Sequence, residues 1–236
     1  MMTLVVLPGM NGSGLLLKDF AAAMGPEFDV IVVEYPSSEP LDYAGLEKVA
    51  RASLPNDRVF FLIAESFSGP IAISIAASAP PGLLGLILCA SFASNPRPVM
   101  SRLLPLSILP VRNMPAAIAC WFTYGSFVSA DRRSAFRQAI SAVSGPAMKA
   151  RVRAVVAVDV SAKIKHLQVP VLYLRGAADR LIPRDAFKKM HRQLPSMQLI
   201  ELAAPHFILQ TVPEAAALAV GQFALRAVNV AVTMLR

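Results

Sequence analysis

A serine at position 66 lies in a setting that suggests chemistry. It belongs to the hexapeptide 64–69 (Ala-Glu-Ser-Phe-Ser-Gly), which follows the apolar run 59–63 and precedes a helix-like run that ends at Ala79. A tight turn from a strand into a helix lifts such a serine above the edge of a sheet. Small neighbours relieve the crowding that the strained turn creates. The segment is therefore predicted to be a nucleophile elbow.

Two later residues could activate this serine. A serine hydroxyl is a poor nucleophile at neutral pH and needs a base to take its proton. His206 follows a predicted strand, and Asp179 lies in a glycine-containing loop after the predicted strand before it. The chain order of serine, aspartate and histidine is the order that this kind of elbow uses. We therefore predict a triad of Ser66 as nucleophile, His206 as general base and Asp179 as the group that orients the imidazole.

The other candidate bases and acids suit these roles less well. His191 is predicted in the middle of a helix among basic residues, and His166 lies in a basic segment, so both are expected at the surface. Asp159 is a rival acid, but it ends a predicted helix and follows no strand.

The first apolar run ends in a glycine-rich loop, residues 7–14. Gly9 allows a sharp turn, which leaves the N–H of Met10 free to form an oxyanion hole with the N–H of Phe67. A phosphate-binding loop is the competing interpretation. It is disfavoured because the glycine spacing does not match G-x-G-x-x-G and no Gly-Lys-Ser/Thr follows.

Composition indicates one globular domain. Hydrophobic residues make up 55% of the chain and charged residues 16%, which gives material for a large core and no sign of disorder. Cys89 and Cys120 both lie in apolar runs, which argues against a disulfide scaffold or a thiolate metal site and fits a reducing compartment. No charged segment precedes the first apolar run, and prolines break the uncharged stretch 66–96 into pieces too short to cross a bilayer. A cytoplasmic protein is expected.

Short apolar runs alternate with helical patterns along most of the chain. Their continuous hydrophobicity predicts strands that are buried on both faces, hence an α/β architecture with a mostly parallel sheet flanked by helices. The predicted strands are 4–7, 30–33, 59–63, 84–88, 171–174 and 198–202.

The alternation stops between residues 94 and 166, where the patterns indicate helices at 114–124, 130–143 and 146–159. This segment is predicted to be an inserted helical lid over the carboxyl end of the sheet, where ligands bind in open α/β folds. Residues 1–93 and 167–236 would then form the core.

These motifs together resemble the α/β-hydrolase superfamily, in particular its small, lid-bearing serine esterases and carboxylesterases. The resemblance covers nearly the whole chain and rests on the loop 7–10, the elbow 64–69, the acid loop 176–183 and the loop of His206. It implies an α/β-hydrolase fold, an acyl-enzyme intermediate and no cofactor or metal. The chain starts at what would be the third family strand, so a minimal fold without the leading hairpin is expected.

The chain departs from the family pattern at two positions. Pro8 stands where many relatives have histidine, and Ser68 stands where glycine is usual, with Gly69 following. The serine at position 66 makes the dehalogenase and epoxide hydrolase branches unsuitable, because they use an aspartate there.

Hydrolysis of a carboxylic ester is the leading interpretation of function. Carbon–carbon bond hydrolysis and cofactor-free perhydrolysis use a similar triad and stay open. A non-catalytic ligand receptor on the same fold is the alternative outside enzymes, and an intact triad argues against it.

Apolar residues in the predicted lid suggest a wall for an acyl chain. Because their number exceeds what a thin lid needs, some are expected to face a pocket and to favour medium acyl chains over acetyl, although each could instead hold the lid on the core. They are Leu103, Leu104, Leu106, Ile108, Leu109, Trp121, Phe122, Tyr124 and Phe127.

The predicted lid is also strongly basic, with 11 basic and 2 acidic side chains in residues 94–166. Arg133 and Arg137 are four residues apart, as are Lys149 and Arg153, so each pair shares a helix face. An acidic acyl carrier protein, of the kind that some members of the family act on, is a candidate partner. The alternative is a solvated face that aids solubility. Nucleic acid is not expected, because no recognition module accompanies the charge.

Overall fold

The computed structural model describes residues 1–103 and 114–234. Its centre is a six-stranded sheet in the order β2-β1-β3-β4-β5-β6, and every neighbouring pair is parallel. The strands are β1 Met2–Leu7, β2 Phe28–Val32, β3 Phe60–Glu65, β4 Leu83–Cys89, β5 Val171–Gly176 and β6 Gln198–Leu202. All six predicted strands and the α/β class are confirmed.

Ten α-helices are described. They are α1 Lys18–Ala23, α2 Tyr43–Ala52, α3 Gly69–Ala77, α4 Pro98–Leu103, α5 Ala116–Thr123, α6 Ala130–Ser141, α7 Gly145–Ala157, α8 Arg184–Gln193, α9 Ile208–Thr211 and α10 Pro213–Met234. Side-chain caps set where α2, α6 and α7 begin: Asp42, Ser129 and Ser144 each accept a hydrogen bond from a backbone N–H three residues later.

The core lies on both faces of the sheet. Along β1, Val5 and Leu7 pack in a cluster that includes residues of α2 and α3, whereas Leu4 and Val6 pack in a cluster with residues of α1 and α10. Because both faces are covered, the strands need no alternation of polar and apolar residues. This explains the continuous apolar runs in the sequence.

The order of the strands places two loops side by side. β1 lies between β2 and β3. From β1 the chain first adds β2 on one side and then crosses to add β3 on the other, so the strand order reverses at the β1–β3 pair. Leu7 pairs with Ala64 near the carboxyl ends of these strands. The loop after β1 and the segment beginning at Ser66 therefore leave the sheet together, at the kind of switch point where open α/β sheets bind ligands.

Helices α4 to α7 follow β4 in the chain and precede β5. The three helices predicted for this segment are present, with ends that differ by at most two residues, and α4 is additional. Their assignment as a lid stays a prediction. Of the apolar residues predicted to form a wall for an acyl chain, four lie outside the described residues: Leu104, Leu106, Ile108 and Leu109.

No helix in residues 1–103 and 114–234 has both the length and the hydropathy needed to cross a bilayer. Cys89 and Cys120, which lie in apolar runs of the sequence, are buried free thiols. Burial raises the pKa of both thiols.

Candidate active site

Ser66 has the backbone conformation of a strained turn. It directly follows β3 and begins a short 3-10 helix, Ser66–Ser68, that leads into α3. Its φ is +46°, a left-handed value that non-glycine residues seldom adopt. The hydroxyl of Ser91 donates a hydrogen bond to the Ser66 carbonyl and so helps to hold this conformation. The expected strand-turn-helix setting of the serine is thus present.

The close approach that requires a glycine lies at position 69 and not at 68. A Cβ on Gly69 would lie 1.8 Å from Ser91 Oγ. Ser68, by contrast, is fully buried and its hydroxyl is used: it lies 2.9 Å from the Tyr35 hydroxyl and donates to the carbonyl of Pro8. The serine at position 68, where glycine is usual in the family that the sequence resembles, therefore links the turn at Ser66 to the loop after β1 through its hydrogen bond to Pro8.

His206 lies between Ser66 and Asp179, within hydrogen-bond distance of both. Its Nε2 is 2.8 Å from Ser66 Oγ, and its Nδ1 is 2.9 Å from Asp179 Oδ2. The side chains of His206 and Asp179 are only 2% and 1% exposed. With Nδ1 donating to the carboxylate, Nε2 is left as the acceptor that faces the serine hydroxyl.

Backbone groups fix the second oxygen of Asp179. Its Oδ1 accepts hydrogen bonds from the N–H of Leu181 at 2.8 Å and of Ile182 at 3.0 Å. Burial by itself would raise the pKa of Asp179, but the nearby His206 and these two donors outweigh it and lower the pKa below its usual value. The carboxylate therefore stays ionised at neutral pH and can stabilise an imidazolium.

The rival groups lie elsewhere. Asp159 is exposed and its carboxylate accepts a hydrogen bond from the N–H of Ser161, two residues on. His166 is exposed, as expected. His191 was expected at the surface, but its ring is half-buried and stacks on Phe187, with centroids 5.2 Å apart. The residues are four apart on α8 and therefore share a face.

The loop after β1 turns at a different glycine from the one expected. Gly12, with φ +74°, has a left-handed conformation, whereas Gly9 does not. The N–H of Gly12 donates to the carbonyl of Gly9 at 2.9 Å. Because the peptide between Gly9 and Met10 is trans, its N–H points away from that bonded carbonyl. The Met10 N–H has no acceptor among the described residues.

Glu65 is a buried acidic residue that sequence reasoning missed. Its Oε2 accepts from the N–H of Gly9 at 3.1 Å, and its Oε1 accepts from Gln210 Nε2 at 2.6 Å. Burial raises the pKa of Glu65, although Gln210, His206 and the Gly9 N–H act in the opposite direction. The available signal was a glutamate placed at the end of an apolar strand, directly before the serine.

The aromatic residues proposed to line a pocket have different surroundings. Tyr124 is buried, and its ring centroid lies 5.0 Å from that of Phe207, the residue after His206. Trp121 is 53% exposed, with the Arg180 guanidinium 4.2 Å from its ring centroid, and Phe122 packs edge-on against it. Phe127 is half-buried. Their contact with a substrate stays a prediction.

A metal site is not apparent in the parts of the chain described. No group of three or more His, Cys, Asp or Glu side chains there is placed to hold a metal ion. The arrangement of a serine, a histidine and a carboxylate can act on an acyl group without one.

The chain is similar to solved structures over most of its length. A hydrolase from Oleispira antarctica has a TM-score of 0.81 at 16% identity, covering 94% of this chain and 90% of that one. A structure reported with carboxylesterases of the thaumarchaeon Nitrososphaera gargenis has a TM-score of 0.78 at 16% identity, covering 97% and 91%. At these identities the likeness concerns the fold.

A curated relative is similar over a shorter part. It is phytyl ester synthase 1, a chloroplast protein of Arabidopsis thaliana, 33% identical in an alignment of 111 positions that covers 44% of this chain. The match spans only 16% of the length of that protein. No family model matches the chain. The parallel sheet, the position of the serine turn and the solved neighbours agree, and the chain has the α/β-hydrolase fold.

Proposed function

We propose that this chain is a serine hydrolase that cleaves a carboxylic ester through an acyl-enzyme intermediate. The observation that carries the proposal is the continuous hydrogen bonding from Asp179 through His206 to Ser66, at 2.9 and 2.8 Å. A merely structural serine has no need of a buried histidine and carboxylate aligned on its hydroxyl. The names of the solved neighbours, a hydrolase and carboxylesterases, support the same reaction class.

Acylation of the serine is the first half of the reaction. His206 Nε2 takes the hydroxyl proton as Ser66 Oγ attacks the carbonyl carbon of the ester, and the π electron pair moves onto the carbonyl oxygen. The N–H groups of Met10 and Phe67 are proposed to stabilise that oxyanion. When the pair returns, the bond to the alcohol oxygen breaks and the imidazolium gives the alcohol its proton. Asp179 stabilises the imidazolium throughout.

Deacylation repeats these steps with water. His206 takes a proton from water, the hydroxide attacks the acyl carbon, and Ser66 leaves with the proton that His206 returns. The acid is released and the free enzyme is restored. An alcohol in the place of water would give an ester, which is the reaction that the name of the plant relative describes. Acyl transfer to an alcohol is therefore a second candidate, with the same triad.

An apolar acyl chain of medium length is the substrate that we propose. The support is the apolar and aromatic content of α5 and the turn after it, where Trp121, Phe122 and Phe127 keep some exposed surface. Tyr124, in contrast, is buried between Phe136 and Phe207. The carrier-protein ester stays a prediction: Arg137, Lys149 and Arg153 are exposed, while Arg133 is half-buried.

A covalent probe tests the proposal directly. The protein would be incubated with a fluorophosphonate and analysed by intact mass, with Ser66→Ala as the control. We expect one adduct on the wild type, none on Ser66→Ala, and hydrolysis of p-nitrophenyl esters by the wild type alone. A folded wild-type protein that neither forms the adduct nor hydrolyses any ester would overturn the proposal and favour a ligand receptor. Adding a long-chain alcohol to the assay separates acyl transfer from hydrolysis by its ester product.

A further inference from the structure

Arg151 of α7 is buried where a charge is costly. It is 1% exposed, and it makes no ion pair with a carboxylate of the described residues. Its partners are instead backbone carbonyls: Nη1 donates to Met10 at 2.7 Å and Nη2 donates to Pro36 at 3.0 Å. Burying a charge that has no ionic partner is costly, so fold stability alone explains this guanidinium poorly.

The loop after β1 is shaped around this guanidinium. A Cβ on Gly12 would lie 2.6 Å from Arg151 Nη1, and the φ of +74° at Gly12 is itself a conformation that favours glycine. The carbonyl of Gly12 accepts a hydrogen bond from the N–H of Tyr35 at 2.8 Å. The guanidinium of Arg151 therefore joins two stretches of backbone, one around Met10 and one around Pro36.

Three side chains together hold the loop after β1. The carbonyl of Pro8 accepts from Ser68, the N–H of Gly9 donates to Glu65, and the carbonyl of Met10 accepts from Arg151. The bonds of Glu65 and Arg151 lie on either side of the Met10 N–H, which has no acceptor of its own among the described residues. A donor held in this way loses little entropy when an oxyanion forms beside it.

We infer that Arg151 is a positioning residue of the proposed site, which holds the Met10 N–H in place for the oxyanion and so makes catalysis depend on the docking of α7. The inference rests on the proposed function. It assigns to a helix of the inserted segment a part in transition-state stabilisation, in addition to any contact with substrate.

The test uses the full chain with three variants. Arg151→Met removes the charge and the donors but keeps an unbranched side chain. Arg151→Lys keeps the charge but replaces the two-pronged guanidinium by a single ammonium. Arg192→Met is the matched control, because Arg192 is an exposed arginine of α8. For each protein we would measure kcat and KM with p-nitrophenyl butyrate, the rate of fluorophosphonate labelling, the thermal midpoint, and the affinity for an alkyl boronic acid.

The boronic acid reports on the oxyanion hole. Its boron accepts an electron pair from Ser66 Oγ, the hydroxyl proton passes to His206, and the adduct is a tetrahedral anion. For Arg151→Met we expect kcat to fall by about tenfold or more, with a parallel loss of boronic acid affinity and little change in KM. Arg151→Lys should recover part of the loss, and Arg192→Met should behave as the wild type.

The outcomes separate this inference from the proposed function. An active, labelled wild type with an Arg151→Met variant that keeps kcat within twofold, or that changes only KM or the thermal midpoint, would overturn the inference alone. A wild type that neither labels nor turns over overturns both. If Arg151→Met does not fold, Arg151→Lys decides: a lowered kcat with weaker boronic acid binding supports the inference, and an unchanged kcat refutes it.

Discussion

The carboxylate of Glu65 accepts a hydrogen bond of 3.1 Å from the backbone N–H of Gly9, so the residue before Ser66 is joined to the loop after β1. The bond crosses between neighbouring strands of the sheet, at the pair where the strand order reverses. Glu65 directly precedes Ser66, and Gly9 directly precedes Met10. The hydrogen bond therefore links the proposed nucleophile to the proposed oxyanion donor.

Glu65→Gln should change how stability depends on pH. Burial raises the pKa of Glu65, so the folded state favours the protonated acid relative to the unfolded state. The stability that this contributes is present below the usual glutamate pKa of about 4.3 and is lost as pH rises through the raised value. Glutamine resembles the neutral acid at all pH values. The free energy of unfolding of the wild type relative to Glu65→Gln should therefore fall with rising pH over the range above about pH 4.3. Urea unfolding across this range measures it, and a difference that rises with pH would contradict the expected sign.

Asp179→Asn should show the opposite dependence and lose activity. The pKa of Asp179 is lowered despite its burial, so its ionised form stabilises the fold above the usual aspartate range, and this contribution is lost as pH falls through the lowered value. The stability advantage of the wild type over Asp179→Asn should thus be larger at pH 7 than near pH 3, by urea unfolding. Turnover at neutral pH should fall by about 10⁴-fold, because asparagine would stabilise the wrong tautomer of His206.

Asp159→Asn is the matched control for this acid. Asp159 is exposed and caps its own turn, so turnover should stay close to that of the wild type. If Asp159→Asn were damaging and Asp179→Asn harmless, the assignment of Asp179 would be wrong.

Gly69→Ala should distort the turn at Ser66. The new Cβ would lie 1.8 Å from Ser91 Oγ, and Ser91 also donates to the Ser66 carbonyl, so the turn must shift. We expect a loss of about 1–3 kcal/mol in the free energy of unfolding, typical of overpacking, together with a large fall in kcat.

Gly145→Ala provides the comparison for that change. A Cβ on Gly145, at the start of α7, would meet no atom within 4 Å. Alanine there should leave stability unchanged or slightly raised. Denaturant unfolding and ester hydrolysis of the two variants, measured side by side, check the prediction, and equal behaviour would show that the close contact at Gly69 is unimportant.

Esters of medium-chain acids should be better substrates than acetates. The reason is the apolar and aromatic surface expected around α5, of which Trp121 and Phe122 keep exposed area. The measurement is kcat/KM for p-nitrophenyl esters from acetate to octanoate. Equal efficiency for acetate and octanoate would count against an acyl wall.

The sequence by itself determined the sheet and the order of the proposed triad. The central strands were predictable because a strand covered on both faces is a continuous apolar run, as in residues 171–174 of β5. The positions of Ser66, Asp179 and His206 were predictable because each follows a predicted strand, and parallel strands bring their carboxyl ends to one edge. The ends of the three helices predicted between residues 94 and 166 shifted by up to two residues, since caps and 3-10 turns depend on local geometry that periodicity does not encode.

Only the tertiary structure decided what holds these groups in place. Glu65 and Gly9 are 56 residues apart in the chain, and Arg151 and Met10 are 141 apart. The sequence around a glutamate at the end of a strand, or around an arginine in a helix, does not indicate which distant backbone group it will bind. Nor does it indicate the hydrogen bonds of Ser68, which stands where glycine is usual, or that the loop after β1 turns at Gly12. Their roles follow from packing, because a buried polar group must find its partner wherever the fold brings one within reach.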